Sequence, residues 1–221
     1  MLVRSILVLC LATVSLDAQA TAVPPPGWAW VLDAPAKLVV GSRNTSTDST
    51  FDFVHMAPGW HITMGPGGVL YDATVRADGR FIVEGEMILF PDASDAEYGI
   101  VVGGAALGGA SVDVRWSAFV VRSDGSAAVF RHADGVTTAL MPWSVHAAVV
   151  RKAAGGTAKN FVRVLAEPDS VRFVVNGQPI AAWSRASVSV DGTVGFRIGR
   201  GINLHVTNLD LTRRLAPFPN R

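Results

Sequence analysis

From Lys37 onward, short apolar or alternating runs recur with turn signals at intervals of roughly 8 to 12 residues, the pattern of a sandwich or barrel. The runs predict strands over Trp60–Met64, Val69–Thr74, Arg80–Phe90, Tyr98–Gly103, Val112–Arg122, Ala127–Ala133 and Val136–Met141. Further strands are expected over Asn160–Ala166, Val171–Val175, Ile180–Ser184, Thr193–Ile198 and Leu204–Thr212. Between them stand the Asx-Gly pairs Asp78-Gly79, Asp124-Gly125, Asp134-Gly135, Asn176-Gly177 and Asp191-Gly192. A two-residue type I′ turn needs positive φ at both central residues, which Asn, Asp and Gly tolerate best, so these pairs predict antiparallel hairpins. The fold class expected is all-β, a two-sheet antiparallel jelly-roll sandwich. Ser144–Ala154 is ambiguous: Val145, Ala148, Val149 and Lys152 fall at helical spacing, but the surrounding strands favour an extended segment.

Two-residue turns also fix register, and register assigns faces. Turns at Asp124 and Asp134 would align Ser117, His132 and Thr137, with Phe119, Phe130 and Ala139 in the next row of the same face. That face is the better core, because its rings carry no polar handle. Trp116 and Arg131 would then share the outer face. The same counting at Asn176-Gly177 pairs Phe173 with Ile180 and puts Arg172 and Trp183 together on the opposite side. Val174 would face Pro179, whose missing N–H suits an edge strand. Trp116, Arg131, Arg172 and Trp183 are therefore the candidate ligand-binding residues: an indole offers a flat apolar surface to a sugar ring, and guanidinium groups donate to hydroxyls. Burial of both tryptophans under the N-terminal leader or a crossing loop is the competing reading.

The first residues change the picture of location. Arg4, the apolar stretch Ile6–Val14 and the small-x-small end Ala18-Gln19-Ala20 form a secretory signal, expected over 1–20, with a secreted or periplasmic destination. An extended leader with three prolines follows over 21–36, one sandwich domain over 37–214 and a tail over 215–221. The one cysteine, Cys10, leaves with the signal, so the core must hold the fold without disulfides. No later stretch approaches the ~18 apolar residues of a membrane helix. A formal net charge of +1 with no basic cluster argues against nucleic acid.

Catalytic chemistry is scarce. Glu84 and Glu86 share one face of a strand, as paired glycosidase carboxylates could, but Ile82, Ile88 and Phe90 share it too, so solvated strand residues are the better expectation. The loop Asp92–Glu97 has oxygen atoms enough for calcium but lacks EF-hand spacing. The five histidines, His55, His61, His132, His146 and His205, show no close ligand spacing, so no metal is expected. His132 beside Ser117 reads as a histidine satisfied by a hydroxyl. Gly65-Pro66-Gly67-Gly68, Gly103-Gly104 and Gly155-Gly156 lack the lysine and helix start of a phosphate loop and read as turns, and no cofactor motif is found. Asn44-Thr45-Ser46 matches a glycosylation acceptor, a motif frequent by chance.

Several stretches carry a family resemblance: Gly59-Trp60-His61-Ile62-Thr63, Tyr98–Gly104, Phe119–Gly125, Trp143 followed by His146, Asn160–Val164, Phe173–Gly177 and Gly192–Arg197. Over Gly59–Thr212 the chain resembles a concanavalin A-like or laminin G-like sandwich, and is similar in particular to exported bacterial domains grouped with 3-keto-disaccharide hydrolases. The resemblance implies the fold. It implies activity only by analogy, because no catalytic motif of that family maps onto residues here. The first functional expectation is a noncatalytic binding domain for a glycan or glycoconjugate. A saccharide hydrolase or lyase, and a structural or protein-interaction domain, are the alternatives.

Overall fold

A computed structural model describes residues 24–39, 48–91, 93–109 and 112–214. The expected signal peptide and tail, Asn44-Thr45-Ser46 and Asp92 lie outside the described residues. In chain order the strands are β1 (Trp28–Leu32), β2 (Lys37–Val39), β3 (Thr50–His55), β4 (Trp60–Met64), β5 (Gly68–Ala77), β6 (Phe81–Leu89), β7 (Tyr98–Ala105) and β8 (Arg115–Val121). They continue as β9 (Ser126–Ala133), β10 (Val136–Val145), β11 (Ala158–Ala166), β12 (Ser170–Val175), β13 (Gln178–Ser184), β14 (Gly192–Ile198), β15 (Asn203–Val206) and β16 (Asp210–Arg213).

These strands form two sheets. The seven-stranded sheet runs β1-β5-β14-β7-β8-β9-β10, and the nine-stranded sheet runs β13-β12-β11-β6-β15-β4-β3-β2 with β16 also on β6. All pairings are antiparallel except β2 with β3. The two sheets pack face to face as a concanavalin A-like jelly-roll sandwich, the fold expected. Alternation along the strands builds the core. In β6, Phe81, Val83, Met87 and Leu89 point inward, and in β11 so do Val162 and Val164, all 0% exposed. Each fully buried apolar side chain contributes roughly 1.5–3 kcal/mol by leaving water, which is how a disulfide-free sandwich is held. Phe119 of the first sheet meets Phe173 of the second edge to face at 5.5 Å, marking the middle of this layer.

The Asx-Gly pairs divide into three kinds. Asp134-Gly135 and Asn176-Gly177 have positive φ at both residues and close two-residue hairpins, Ala133 facing Val136 and Val175 facing Gln178. At Asp124-Gly125 only the glycine has positive φ; Arg122 and Ser126 close a three-residue loop, with the Gly125 N–H donating to the Arg122 carbonyl. That is a type I turn followed by a left-handed residue. Asp78-Gly79 instead joins β5 of one sheet to β6 of the other, and Asp191-Gly192 leads a 3-10 turn into β14. Gly103-Gly104, expected as a turn, lies within β7 beside a register shift, where a Cβ at Gly103 would come within 2.4 Å of the Ser189 carbonyl oxygen.

Two further expectations are corrected. Residues 28–32 of the expected leader are a strand: Trp30 pairs with Leu70 and Val31 with Val69, because the whole stretch is apolar and its residues pack alternately on the inner core and on the outer cluster. Residues 146–157 are neither helix nor strand. Side-chain amides, buried Asn160 and exposed Asn176, hold that segment instead. The Val150 N–H and the Asn176 amide both donate to Asn160 Oδ1 at 2.9 Å, while Asn160 donates to the Tyr98 hydroxyl at 2.9 Å. Burial pushes the Tyr98 phenol up to about 12, the Asn160 bond opposing, so it stays neutral. Pro179 stands opposite Val174 on β13, which is an edge strand as its missing donor requires.

Candidate functional site

The three-residue loop at Asp124 shifts the β8–β9 register by one residue, and a one-residue slip moves every side chain of the second strand to the other face. Trp116 faces His132, Ser117 faces Arg131 and Ala118 faces Phe130. On β8 the faces are as expected, with Phe119 and Val121 inward and Trp116 and Ala118 outward. On β9 they are reversed: Val129 and Ala127 are core, while Ala128, Phe130 and His132 join Trp116 outside. Trp116 and Arg131 thus emerge on opposite faces, and the expected contact surface is not formed. A shallow depression of about 280 Å³ at the strand ends touches both residues, each from its own side.

The other expected pair also separates. A bulge between Phe173 and Val174 puts Trp183 opposite Val171, on the inward face, with its ring 5.9 Å from Phe119. Trp183 is a core-edge residue. Arg172 pairs with Ala182 and is exposed on the outer face of the nine-stranded sheet. Glu84 and Glu86 lie on that outer face as well, where Glu84 accepts from Arg163 at 2.5 Å and Glu86 from Lys159 at 3.0 Å and Thr207 at 3.1 Å. The calcium-like loop is occupied by a lysine: Lys152 donates to the carbonyls of Pro91 and Ala93 at 2.8 and 2.9 Å. Among the described residues no group of three His, Cys, Asp or Glu side chains could hold a metal ion.

What the slip assembles is a groove of about 580 Å³ across the outer face of the seven-stranded sheet. Its size falls within the roughly 300–1,000 Å³ of small-ligand sites. Its apolar wall is Trp116, Ala118, Phe130 and Trp143, with Val31 of β1 and Val69 of β5. At one end Trp116 stacks on His132, ring centroids 5.0 Å apart and planes 10° from parallel. His132 Nδ1 lies 2.8 Å from the Thr137 hydroxyl, and burial, with the Arg197 charge, lowers its pKa from 6.5 against the pull of Asp33. The imidazole is therefore neutral at pH 7. Its partners are Trp116 and Thr137 rather than Ser117, whose hydroxyl donates to the Ser189 carbonyl.

Arg197 crosses the middle of the groove. It forks onto Asp33 at 2.8 and 2.6 Å and donates to Glu97 at 3.2 and 3.0 Å. Burial works against this cation, but the hydrogen bonds and charges of Asp33 and Glu97 outweigh it and hold the guanidinium above its ordinary value. At the other end Arg122, next after β8 on its outward alternation, lies with its guanidinium 3.7 Å from the Trp143 ring centroid. Phe130 meets the same indole edge to face at 5.6 Å. The hidden signal for this groove was the loop length at Ser123-Asp124-Gly125. Phe130 and His132 could have been placed beside Trp116 had that loop been counted as three residues.

No family model matches the chain, and no curated protein matches it in sequence. Solved structures match in shape. The carbohydrate binding module CBM66 from Bacillus subtilis superposes with a TM-score of 0.54 at 10% identity, covering 80% of this chain and 99% of that one. The endo-beta-1,3-glucanase from Pyrococcus furiosus gives 0.56 at 10% identity over 90% of this chain and 92% of its own. The Bacteroides ovatus mixed linkage glucan GH16 protein, in complex with its G4G4G3G product, gives 0.56 at 7% identity over 84% and 94%. At these identities the likeness is one of fold. The chain is a jelly-roll sandwich, a fold that binding modules and glucanases share, so the fold by itself assigns no role.

Proposed function

We propose that this chain is an exported, noncatalytic saccharide-binding domain that holds a glycan or glycoconjugate in the groove on the seven-stranded sheet. The observation that carries this reading is the groove itself: half-buried Trp143 lines it together with the edge of buried Trp116, with guanidinium groups beside both. Indole faces cover the C–H face of a sugar ring, and the polar groups between them fix its hydroxyls. The carbohydrate binding module and the two glucan-acting proteins of the same fold support a saccharide as occupant.

A binding role fits the groove carboxylates better than a hydrolytic one. Asp33 and Glu97 are both committed to one guanidinium, whereas glycoside hydrolysis needs one carboxyl free to give a proton and another to take one or attack. The pair Glu84 and Glu86 lies on the other sheet, away from the groove. Screening the mature protein on a glycan array, followed by incubation of each hit to look for products, tests the reading. Binding without turnover is expected, with affinity reduced at least about fivefold in Trp143→Ala. Product release, or binding untouched by Trp143→Ala, overturns it.

A further inference from the structure

Among the described residues every charged side chain of the groove has an ion-pair partner except one. Arg197 has two carboxylates, and those carboxylates have Arg197. Arg122 has neither: its Nε is buried with no acceptor, and it forms no ion pair. Its guanidinium is half-buried, and the Trp143 ring at 3.7 Å is what it rests on. A cation–π contact offsets only part of the cost of withdrawing a cation from water. Elsewhere in the molecule, comparably sheltered arginines have found a carboxylate, as Arg80 has in Glu167 at 2.8 Å and Arg185 in Asp191 at 2.6 Å.

Glu97 makes the absence informative. Tyr98 pairs with Val121, so Glu97 and Arg122 are the next cross-strand neighbours and project from the same face. The chain thus has a carboxylate one strand away from Arg122 and directs it to Arg197 instead. Asp124, two residues along, feels the charge of Arg122 but spends its Oδ1 on Ser126. The guanidinium is left facing the groove.

We infer that the saccharide bound in this groove carries an anionic substituent, a carboxylate or a sulfate, which Arg122 receives against the Trp143 ring. Arginine suits the task because its planar fork keeps donors for an oxyanion while its face lies on an indole. Asp33 and Glu97 repel such a ligand less than free carboxylates would, since Arg197 holds both in ion pairs and cancels one of their two charges. The inference rests on the saccharide reading and narrows it.

The test is titration calorimetry on matched pairs: an oligogalacturonate against its methyl-esterified form, and a sulfated galactan oligosaccharide against its desulfated form. The acidic member of at least one pair is expected to bind about tenfold or more tighter, the effect of one charge-assisted hydrogen bond, and to weaken with added salt. Arg122→Gln should erase that preference, bringing the acidic and uncharged members of the pair to equal affinity, while Arg122→Lys retains part of it. A carboxylate preference and a sulfate preference are told apart by which pair shows it. Equal affinity within both pairs, or a preference that survives in folded Arg122→Gln, overturns the inference while leaving a neutral-saccharide groove standing. Failure of every saccharide to bind overturns the groove reading and this inference together.

Discussion

On opposite sides of the sandwich, two arginines stand over aromatic rings, and only one has a counterion. On the nine-stranded sheet Arg163 lies 5.2 Å from the Phe161 ring and bonds Glu84, its cross-strand neighbour on β6. On the seven-stranded sheet Arg122 lies 3.7 Å from Trp143 without a carboxylate, at the end of a groove. An arginine on an aromatic ring thus makes a closed surface in one place and an open one in the other. What differs is the disposition of the neighbouring acid. Glu84 turns to the arginine beside it, whereas Glu97 is drawn off to Arg197, which also ties down Asp33 of the segment after β1. An arginine and an aromatic side by side therefore say little about binding until the nearest carboxylate has been traced.

The largest expected effect comes from the residue that sets up this difference. Arg197→Met leaves Asp33 and Glu97 without their shared cation; Asp33 is 48% exposed and solvent screens its share, so the loss should reach about 3 kcal/mol at most, the lower end of what breaking a buried pair costs. Denaturant unfolding should show a loss of that order, against less than about 1 kcal/mol for Arg163→Met on the other sheet. Near-equal losses would mean that the two ion pairs are equally screened and that the contrast between the faces is not energetic. Next in size is Trp183→Ala. With its indole against Phe119 the tryptophan belongs to the core layer, so stability should fall by about 2–3 kcal/mol while saccharide affinity is unchanged. Loss of affinity without loss of stability would return Trp183 to the list of contact residues.

Trp183 also shows where reading the sequence stops. Strand periods, the edge position of Pro179 and the two-sheet architecture were legible, because alternation and turn chemistry are local properties of the chain. Faces were legible on β8 and at the start of each hairpin. They failed at β9 because Asp-Gly serves both a two-residue and a three-residue loop, and at Trp183 because a bulge adds a residue that no turn signal announces. Each error is a single residue, yet each reverses a face. The groove escaped notice for a further reason: Asp33, Glu97, Arg122, Trp143 and Arg197 come from five separate segments, and only the stacking of seven strands brings them together.

Acid should weaken both sheets, each through one histidine. The neutral His132 is favoured in the folded groove, so its folded pKa lies below the ordinary 6.5 that it regains on unfolding. The unfolded chain then binds more protons as pH falls below about 6.5, and stability, fully present above that value, declines as pH drops toward the folded pKa. Burial lowers His61 in the same direction, so it adds to the same slope. His132→Gln should flatten the fall of melting temperature between neutral and mildly acidic pH, and His61→Gln should flatten the remainder. A slope unchanged by both variants would assign the acid sensitivity to other groups.

The smallest expected effect is the one that most sharply separates the faces. Glu84→Gln removes the charge from a pair whose side chains are 34% and 24% exposed, a setting in which solvent screens most of the attraction, so stability should change by less than about 1 kcal/mol. The variant also converts Arg163 into an uncompensated arginine above an aromatic ring, chemically close to Arg122 above Trp143. If the open groove matters as well as the free cation, Glu84→Gln gains no affinity for acidic saccharides, because Phe161 and Arg163 offer no walls to enclose a ring. Should calorimetry show the variant binding an oligogalacturonate as strongly through this face as the native protein does through the other, an unpaired arginine on any sheet would suffice, and the groove would lose its claim to selectivity.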